Sequence, residues 1–487
     1  MAAYRDRMRG LAAASSLGVC VAIGALWAVP LPLAAQDRGL DGRWTGAVTI
    51  LGTELGFSVE FSHEGGALSA TMDIPTQGAQ DLPLTDVWEN AATVHFELQA
   101  GPGLAVWEGD RDGDEIAGTF TQGGASGTFQ VTRDGSDAAA ERESEEPVPY
   151  RQEELTVEHG EIRLAGTLTL PEDGGPFPAV VMVTGSGPQN RDEEIFGFRI
   201  FRVIADHLTR QGIAVFRYDD RGVGGSNGNV ALSTTSDFAD DAIASIARLA
   251  EHPEIDGDRI GIVGHSEGGV VAPLAAERSE SVAFVILLAG TSVPGSEIIF
   301  EQGAAIARAE EQSEEQIEDG MALQRQIFTA MAAGEDMEQF RDDIEAVVRE
   351  QMANAPAENL EGVVADPEEF VKSQVNTQMT QIKTPWFQYF ITYDPADALR
   401  QTTVPALALF GELDLQVLPA QNRGPMAEAL GGNPDVTFHT FPRANHLFQE
   451  AVTGSPTEYA TLERGFVPGF LEMISDWILE RMGADTP

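Results

Sequence analysis

The second part of the chain contains short, continuous apolar segments separated by longer amphipathic stretches. These segments begin after about residue 150 and lie at residues 179–183, 213–216, 260–263, 282–288 and 406–410. A strand that is apolar on both faces must be covered on both faces, as in a parallel sheet packed between helices. The intervening residues 201–208 and 240–249 have the amphipathic pattern of such helices. The sequence therefore predicts a mostly parallel sheet flanked by helices over residues 151–487.

One interval interrupts this alternation. Residues 296–400 contain no clear strand, and Phe340, Ile344, Val347 and Gln351 follow a helical spacing. A connection of this length is far longer than an ordinary loop between core strands. We therefore expect an inserted helical cap at about 296–400, which would cover the site at the sheet edge.

Residues 36–135 have a different pattern, with short alternating runs such as 93–98 and 127–131 between glycine-containing turns. Period-two runs of this kind predict an antiparallel β barrel or sandwich. His63 and His95 fall within these runs and are expected to be ordinary strand residues. The acidic, proline-flanked segment 136–150 predicts a linker.

The first 35 residues resemble a secretory signal peptide. Arg5, Arg7 and Arg9 precede an apolar stretch at 11–33, and small residues follow it. The alternative is an uncleaved membrane anchor, because the apolar stretch approaches spanning length. We expect cleavage, export to the periplasm or the exterior, and no stable membrane insertion afterwards. Cleavage would remove Cys20, the only cysteine, so disulfides and cysteine metal sites are not expected.

The net charge and the histidine pattern limit which ligands and partners we expect for this chain. The formal net charge is −47, which repels nucleic acid and anionic lipid at long range. The eight histidines are scattered and include no H-E-x-x-H motif, so we expect neither a metal nor a cofactor. The glycine loop 219–226 lacks the P-loop lysine and the dinucleotide-binding spacing, and is interpreted as a structural loop in which Asp and Arg pair. The oligomeric state stays open.

The segment Gly264-His265-Ser266-Glu267-Gly268 is the strongest catalytic motif. It follows the apolar run that ends at Val263 and precedes a helical pattern. A G-x-S-x-G turn between a strand and a helix is typical of the nucleophile elbow of α/β-hydrolases. Its glycines allow a tight turn that lifts the Ser266 hydroxyl above the sheet, next to a helix N-terminus that favours negative charge. Ser266 is therefore the candidate nucleophile, and His265 is interpreted as a packing residue beside it.

A serine nucleophile needs a base, and in this fold the acid and then the base follow it along the chain. Two histidines follow the cap. His439 lies inside an alternating run, whereas His446 lies in the loop after it, so His446 is the candidate base. Asp414 follows the apolar run 406–410 and is the candidate acid, with Glu412 as the alternative.

The oxyanion hole of such an enzyme uses two backbone N–H groups. One is expected from Glu267, the residue after the nucleophile. The other is expected from the loop after the first long core strand, at Ser186 or Gly187, because Pro188 has no N–H. Trp386 and Phe387 in the cap are candidate pocket residues.

Residues 150–487 resemble bacterial α/β-hydrolase esterases close to the serine-aminopeptidase-like and dienelactone-hydrolase-like branches. The matching segments are Gly185-Ser186-Gly187-Pro188, Tyr218-Asp219-Asp220-Arg221-Gly222, Gly264-His265-Ser266-Glu267-Gly268-Gly269, Pro385-Trp386-Phe387, Tyr393-Asp394-Pro395, Gly411-Glu412-Leu413-Asp414 with Gln416-Val417, and Asn445-His446-Leu447-Phe448. The resemblance implies a two-domain carboxylesterase that uses Ser266, Asp414 and His446 on small-molecule esters with short acyl groups. An aminopeptidase or amidase with the same machinery is the main alternative. A non-catalytic binding protein is the second, although the intact order of serine, acid and histidine argues against it.

Overall fold

The computed structural model describes residues 39–482, with gaps at 51–52, 65–66, 75–78, 91, 101–102, 123–124, 134–147, 310–311 and 355–366. The predicted signal peptide at 1–35 and most of the predicted linker at 136–150 lie outside the described residues. The predictions for those two segments therefore stay predictions.

The N-terminal domain consists of nine strands in one antiparallel sheet. The strands are β1 (Gly42–Ile50), β2 (Thr53–Glu64), β3 (Ala67–Ile74), β4 (Ala79–Pro83), β5 (Thr85–Asn90), β6 (Thr93–Ala100), β7 (Gly103–Asp112), β8 (Glu115–Gln122) and β9 (Ala125–Arg133). Their order in the sheet is β4-β3-β2-β1-β9-β8-β7-β6-β5, and each neighbouring pair is antiparallel. The expectation of an antiparallel β domain is confirmed.

The sheet of this domain curls around one apolar core. Phe61 on β2 and Phe96 on β6 belong to strands that are not neighbours, yet their ring centroids are 5.6 Å apart. Both side chains are fully buried, whereas the intervening residues of β6, such as His95 and Glu97, point to the opposite face. A single curled sheet with one core corresponds to the barrel form of the two forms that the sequence predicts.

The second domain is built on an eight-stranded mixed sheet. Its strands are β10 (Tyr150–His159), β11 (Ile162–Pro171), β12 (Phe177–Val183), β15 (Ala214–Tyr218), β16 (Ile255–His265), β17 (Val285–Leu288), β18 (Ala406–Gly411) and β19 (Val436–Phe441), and a small hairpin pairs β13 (Glu194–Ile195) with β14 (Phe198–Arg199). The order is β10-β11-β15-β12-β16-β17-β18-β19. β10 and β11 are antiparallel to their neighbours, and the six strands from β15 to β19 are parallel.

Helices cover both faces of this sheet. The helices outside the cap are α1 (Ile200–Arg210), α2 (Thr235–Ala250), α3 (Gly268–Arg278), α9 (Ala396–Gln401), α10 (Pro419–Ala429) and α11 (Phe470–Met482). Residues of α2, α3, α9 and α10 share an apolar cluster on one face, and residues of α1 and α11 share another on the opposite face. Every residue of β12, β17 and β18 is buried as a result. The predicted α/β-hydrolase fold class is confirmed.

The cap follows β17 and is helical throughout its described part. It contains α4 (Gly295–Ala309), α5 (Glu314–Ala332), a 3₁₀ turn (Met337–Phe340), α6 (Arg341–Asn354), α7 (Pro367–Ile382) and α8 (Pro385–Thr392). Its inner face includes Ile344 and Val348, whereas Val347 is 37% exposed. The predicted face was therefore wrong at Val347, because Ile344 and Val348, four residues apart in α6, are the pair that faces inward.

No helix in the described part of the chain combines the length and the hydropathy that a membrane span requires.

Candidate active site

Four loops at the carboxyl ends of parallel strands carry the predicted catalytic and oxyanion residues. Ser266 follows β16, Asp414 follows β18, His446 follows β19, and the 185–187 loop follows β12. Because the carboxyl ends of parallel strands meet at one edge of a sheet, these loops converge there. Ser186, Ser266, Glu267 and His446 line one cavity of about 900 Å³.

The turn around Ser266 has the geometry that its glycines make possible. Ser266 has φ of +52°, in the left-handed region that side chains rarely adopt. A Cβ added at Gly264 would lie 1.9 Å from the Gly268 carbonyl oxygen, and one at Gly268 would lie 2.2 Å from that of Val183. Ser266 is partly exposed, whereas the residues on either side of it are buried. The turn thus presents the Ser266 side chain to the cavity.

Asp414 and His446 form a buried hydrogen-bonded pair. His446 Nδ1 lies 2.8 Å from Asp414 Oδ2, and the two side chains are 6% and 0% exposed. Asp414 Oδ1 accepts hydrogen bonds from the backbone N–H groups of Gln416 and Val417, each at 2.8 Å. Both oxygens of Asp414 therefore act as acceptors, and His446 Nδ1 is the donor of the pair. The other ring nitrogen, Nε2, is left as a proton acceptor.

The two alternatives for acid and base lie elsewhere. Glu412 Oε2 accepts the backbone N–H of Arg443 at 2.9 Å. His439 lies within β19, and its ring packs against Phe441 with centroids 4.4 Å apart. The structure therefore brings together Asp414 and His446, as the sequence predicts, and not these two residues. The catalytic roles themselves stay predictions.

A second imidazole–carboxylate pair, Glu193 and His265, lies beside Ser266. His265 Nδ1 is 2.8 Å from Glu193 Oε1, and His265 Nε2 is 3.0 Å from the His446 carbonyl oxygen. Glu193 Oε1 also accepts the Gly185 N–H at 2.7 Å. Sequence reasoning missed this pair and treated His265 as a packing residue, because nothing in the pattern links two residues 72 positions apart.

Both ring nitrogens of His265 are used. A carbonyl oxygen can only accept, so His265 Nε2 carries a hydrogen, and one further proton is shared between Nδ1 and Glu193 Oε1. Burial opposes a charge on the ring, but the Glu193 carboxylate, the His446 carbonyl oxygen and Asp414 together raise the pKa of His265 above its ordinary value. His265 is therefore a positioning residue that ties the Gly185 loop to the backbone of His446.

In the predicted oxyanion loop, residues 185–187, one backbone N–H already donates a hydrogen bond within the protein. The Gly185 N–H is bound to Glu193, so it is not free to bind a substrate oxygen. Ser186 lines the cavity and Gly187 is not among the lining residues. Gly187 has φ of +98°, which indicates that it serves the turn. Of the two predicted donors, the geometry favours Ser186.

The Glu267 side chain connects the elbow to the cap. Glu267 is 2% exposed, and its Oε1 accepts from Thr235 Oγ1 at 2.7 Å and from Trp386 Nε1 at 3.1 Å. Burial raises the pKa of Glu267 above its ordinary value, although hydrogen bonds from Thr235, Ser186 and Trp386 act in the opposite direction. Trp386 and Phe387, the two predicted pocket residues, both line the cavity.

The glycine loop after β15 is hydrogen-bonded to residues on both sides of the predicted oxyanion loop, residues 185–187. Asp220 accepts from Thr184 Oγ1 and from the Gln189 N–H, both at 2.9 Å. The expected pairing of Asp and Arg does occur, but with partners outside the loop. Asp219 pairs with Arg191 at 2.7 Å, and Arg221 pairs with Asp241 at 2.6 Å.

The sheet order, the strained serine turn between β16 and α3, and the acid and histidine that follow in chain order define an α/β-hydrolase. The family model described as "Serine aminopeptidase, S33" matches residues 198–450, just over half of the 487 residues. The chain belongs to this family and is a hydrolase.

Individual proteins are also similar to this chain. Esterase EstD of Thermotoga maritima is 27% identical over 337 residues, which are 69% of this chain and 69% of that protein. Two solved structures are also similar. An esterase of Pyrococcus furiosus has a TM-score of 0.42 and 15% identity, over 69% of this chain and 92% of that chain. A proline iminopeptidase of Mycobacterium smegmatis has a TM-score of 0.40 and 17% identity, over 68% and 98% respectively.

Proposed function

We propose that this protein is a serine carboxylesterase that acts on small-molecule esters through an acyl-enzyme on Ser266. The observation that carries the proposal is the Asp414–His446 pair, which leaves one imidazole nitrogen as a proton acceptor on the cavity that Ser266 also lines. The esterase among its relatives supports the same reaction class.

The reaction takes two acyl-transfer steps. Ser266 Oγ attacks the ester carbonyl carbon while His446 Nε2 takes the hydroxyl proton, and the carbonyl oxygen becomes an oxyanion. The backbone N–H groups of Glu267 and Ser186 stabilise that oxyanion. His446 then protonates the leaving alcohol as the carbon–oxygen bond breaks. In the second step the same base deprotonates a water molecule, which attacks the acyl-enzyme and releases the acid and Ser266.

The cavity lining favours an ester over a peptide with a free amino group. In the described part of the cap, the lining residues are apolar, aromatic or amide side chains and none is acidic; they include Ile298, Ile299, Ile306, Trp386, Phe387 and Gln381. A bound ammonium group would need a carboxylate in such an apolar site. The two carboxylates of the lining, Glu193 and Glu267, come from the core and are 1% and 2% exposed. This lining supports esterase activity over aminopeptidase activity.

The volume also bears on the substrate. About 900 Å³ lies within the range of small-molecule sites and must hold both the acyl and the alcohol part of an ester. From the family resemblance, and not from the volume, we expect p-nitrophenyl esters with short acyl chains to be good substrates.

The test compares p-nitrophenyl butyrate with alanine p-nitroanilide, using the mature protein and its Ser266→Ala variant. We expect kcat/KM for the ester to exceed that for the anilide by about 10³-fold or more. We also expect Ser266→Ala to lose ester hydrolysis while keeping its far-UV circular dichroism. Faster hydrolysis of the anilide would support the aminopeptidase alternative. Ester hydrolysis retained by Ser266→Ala would show that Ser266 is not the nucleophile.

We also propose that the protein is exported after cleavage near residue 35. The basic residues and the apolar stretch at the N-terminus support this proposal. N-terminal sequencing of the protein recovered outside the cytoplasm should begin near Gln36, and an intact N-terminus would contradict cleavage.

A further inference from the structure

A cluster of one histidine and three carboxylates lies on the outer face of the β domain. His95 and Glu97 lie on β6, two residues apart, and therefore point to the same face of the sheet. Asp86 lies on the neighbouring strand β5, and Glu108 lies directly opposite His95 on β7. The cluster thus spans three adjacent strands.

His95 is buried within this cluster without a hydrogen bond. The residue is 8% exposed, and its ring stacks on Trp88 with centroids 4.7 Å apart and planes at 7°. Neither ring nitrogen has a hydrogen-bond partner among the described residues. A buried imidazole nitrogen without a partner is costly, so its orientation toward carboxylates requires an explanation.

The distances around His95 Nε2 are those of ligands around a metal ion. Nε2 lies 3.6 Å from Asp86 Oδ2 and 3.5 Å from Glu97 Oε1, beyond ordinary hydrogen-bond length. The three ligand atoms all lie within 4.8 Å of one another. In a tetrahedral zinc site with bonds of about 2.0–2.2 Å, neighbouring ligand atoms are about 3.3–3.6 Å apart. An ion between these atoms would satisfy Nε2 and both carboxylates.

The second ring nitrogen of His95, Nδ1, faces the carboxylate of Glu108. His95 Nδ1 lies 3.4 Å from Glu108 Oε2. Metal-binding histidines commonly donate their second N–H to a carboxylate, which fixes the tautomer and turns the other nitrogen to the metal. Glu108 is placed for that supporting role.

The backbone of β5 explains how Asp86 reaches the cluster. The pairing of β5 with β6 shifts register between Thr85 and Trp88, and Asp86 has φ of +46°. A bulge of this kind redirects a side chain that regular pairing would place elsewhere.

The local charge also favours a cation. Among the described residues, none of Asp86, Glu97 and Glu108 pairs with an arginine or lysine; each faces His95 instead. Three carboxylates around one imidazole leave a negative site. We propose that Asp86, His95 and Glu97 bind a divalent metal ion of the zinc class, and that Glu108 orients the imidazole. The ion would join the edge strand β5 to β6, which is a structural role in the β domain.

The test is isothermal titration of the chelator-treated mature protein with zinc chloride. Because the chain has 77 acidic residues, excess Mg²⁺ is added to occupy weak carboxylate sites. We expect one zinc equivalent in the wild type, no measurable binding in Glu97→Gln, and binding about tenfold weaker in Glu108→Gln. His63→Gln is the matched control, because His63 is on a strand of the same domain, bonds only to Asp41 among the described residues and is 44% exposed. It should bind zinc like the wild type.

Cobalt absorption gives a second readout that does not depend on affinity. Bound Co²⁺ in a nitrogen–oxygen site should give visible bands that disappear in Glu97→Gln, while the far-UV circular dichroism and ester hydrolysis of that variant match the wild type. Absence of stoichiometric zinc binding by the wild type would overturn the proposal. Unchanged binding in a folded Glu97→Gln variant would overturn it equally.

Discussion

Two imidazole–carboxylate pairs, Glu193–His265 and Asp414–His446, lie near Ser266 and have the same hydrogen-bond geometry. In each pair a ring Nδ1 lies 2.8 Å from a carboxylate oxygen, and both side chains are buried. The pairs differ at the second ring nitrogen. His265 Nε2 is bound to a backbone carbonyl oxygen, whereas the Asp414 contact leaves His446 Nε2 as an acceptor on the cavity. A buried carboxylate beside a histidine therefore does not by itself identify a catalytic base.

The carboxylates differ as well. Asp414 Oδ1 accepts two backbone N–H groups and its Oδ2 contacts His446, so both oxygens of this carboxylate have partners. Glu193 Oε2 has no partner among the described residues, and its Oε1 shares one proton with His265. In the proposed mechanism the first pair activates the nucleophile, whereas the second pair connects the Gly185 loop to the His446 backbone.

The largest expected effect on activity comes from removing the His446 imidazole, the proposed base. His446→Ala should lower kcat for p-nitrophenyl butyrate by about 10⁴–10⁶-fold, because Ser266 would lose its base. Steady-state kinetics with a matched circular dichroism spectrum measure this loss. A decrease of less than about tenfold in a folded variant would remove His446 from the mechanism.

The next effect tests the acid. Asp414→Asn should lower kcat by about 10⁴-fold, because an amide nitrogen facing Nδ1 would favour the wrong tautomer of His446. Glu412→Gln is the matched control from the same loop, and it should change kcat by no more than about threefold. Equal losses in the two variants would contradict the assignment of Asp414.

A smaller effect is expected at the other pair. His265→Gln should lower kcat by about 10- to 100-fold through misplacement of the Gly185 loop and the His446 backbone. The acidic limb of the kcat–pH profile should stay where it is in the wild type, because His265 only positions other groups. A shift or loss of that limb would show that His265 takes part in proton transfer.

The smallest effect concerns the pH dependence of stability. The pKa of His265 is raised in the folded protein, so protonation of this ring stabilises the fold. That contribution is complete below the unfolded value of about 6.5 and is lost as pH rises through the higher folded-state pKa. The difference in free energy of unfolding between wild type and His265→Gln should therefore decrease as the pH rises above about 6.5, the unfolded value. Urea unfolding at several pH values measures it, and an increase would contradict the sign.

The contrast between the pairs also shows what the sequence can predict. Ser266 and Asp414 each follow an apolar strand and His446 follows an alternating one, in the order that the fold requires, so pattern and chain order selected them as candidates. Glu193 follows no such rule. It lies in a loop, has a φ of +46°, and contacts His265 only in the folded chain, because the two residues are 72 positions apart. The cluster around His95 was missed for the same reason, because its residues come from three strands and a bulge. In the cap, a helical spacing of three or four residues left Val347 and Val348 as alternatives after Ile344, and packing against the other cap helices buries Val348.

Labelling by a fluorophosphonate tests the central claim most directly. Peptide mass spectrometry of the labelled wild type should find one phosphonyl group on Ser266. The label should be lost in His446→Ala and retained, at a reduced rate, in His265→Gln. A label on another residue, or undiminished labelling of Ser266 in His446→Ala, would contradict the account.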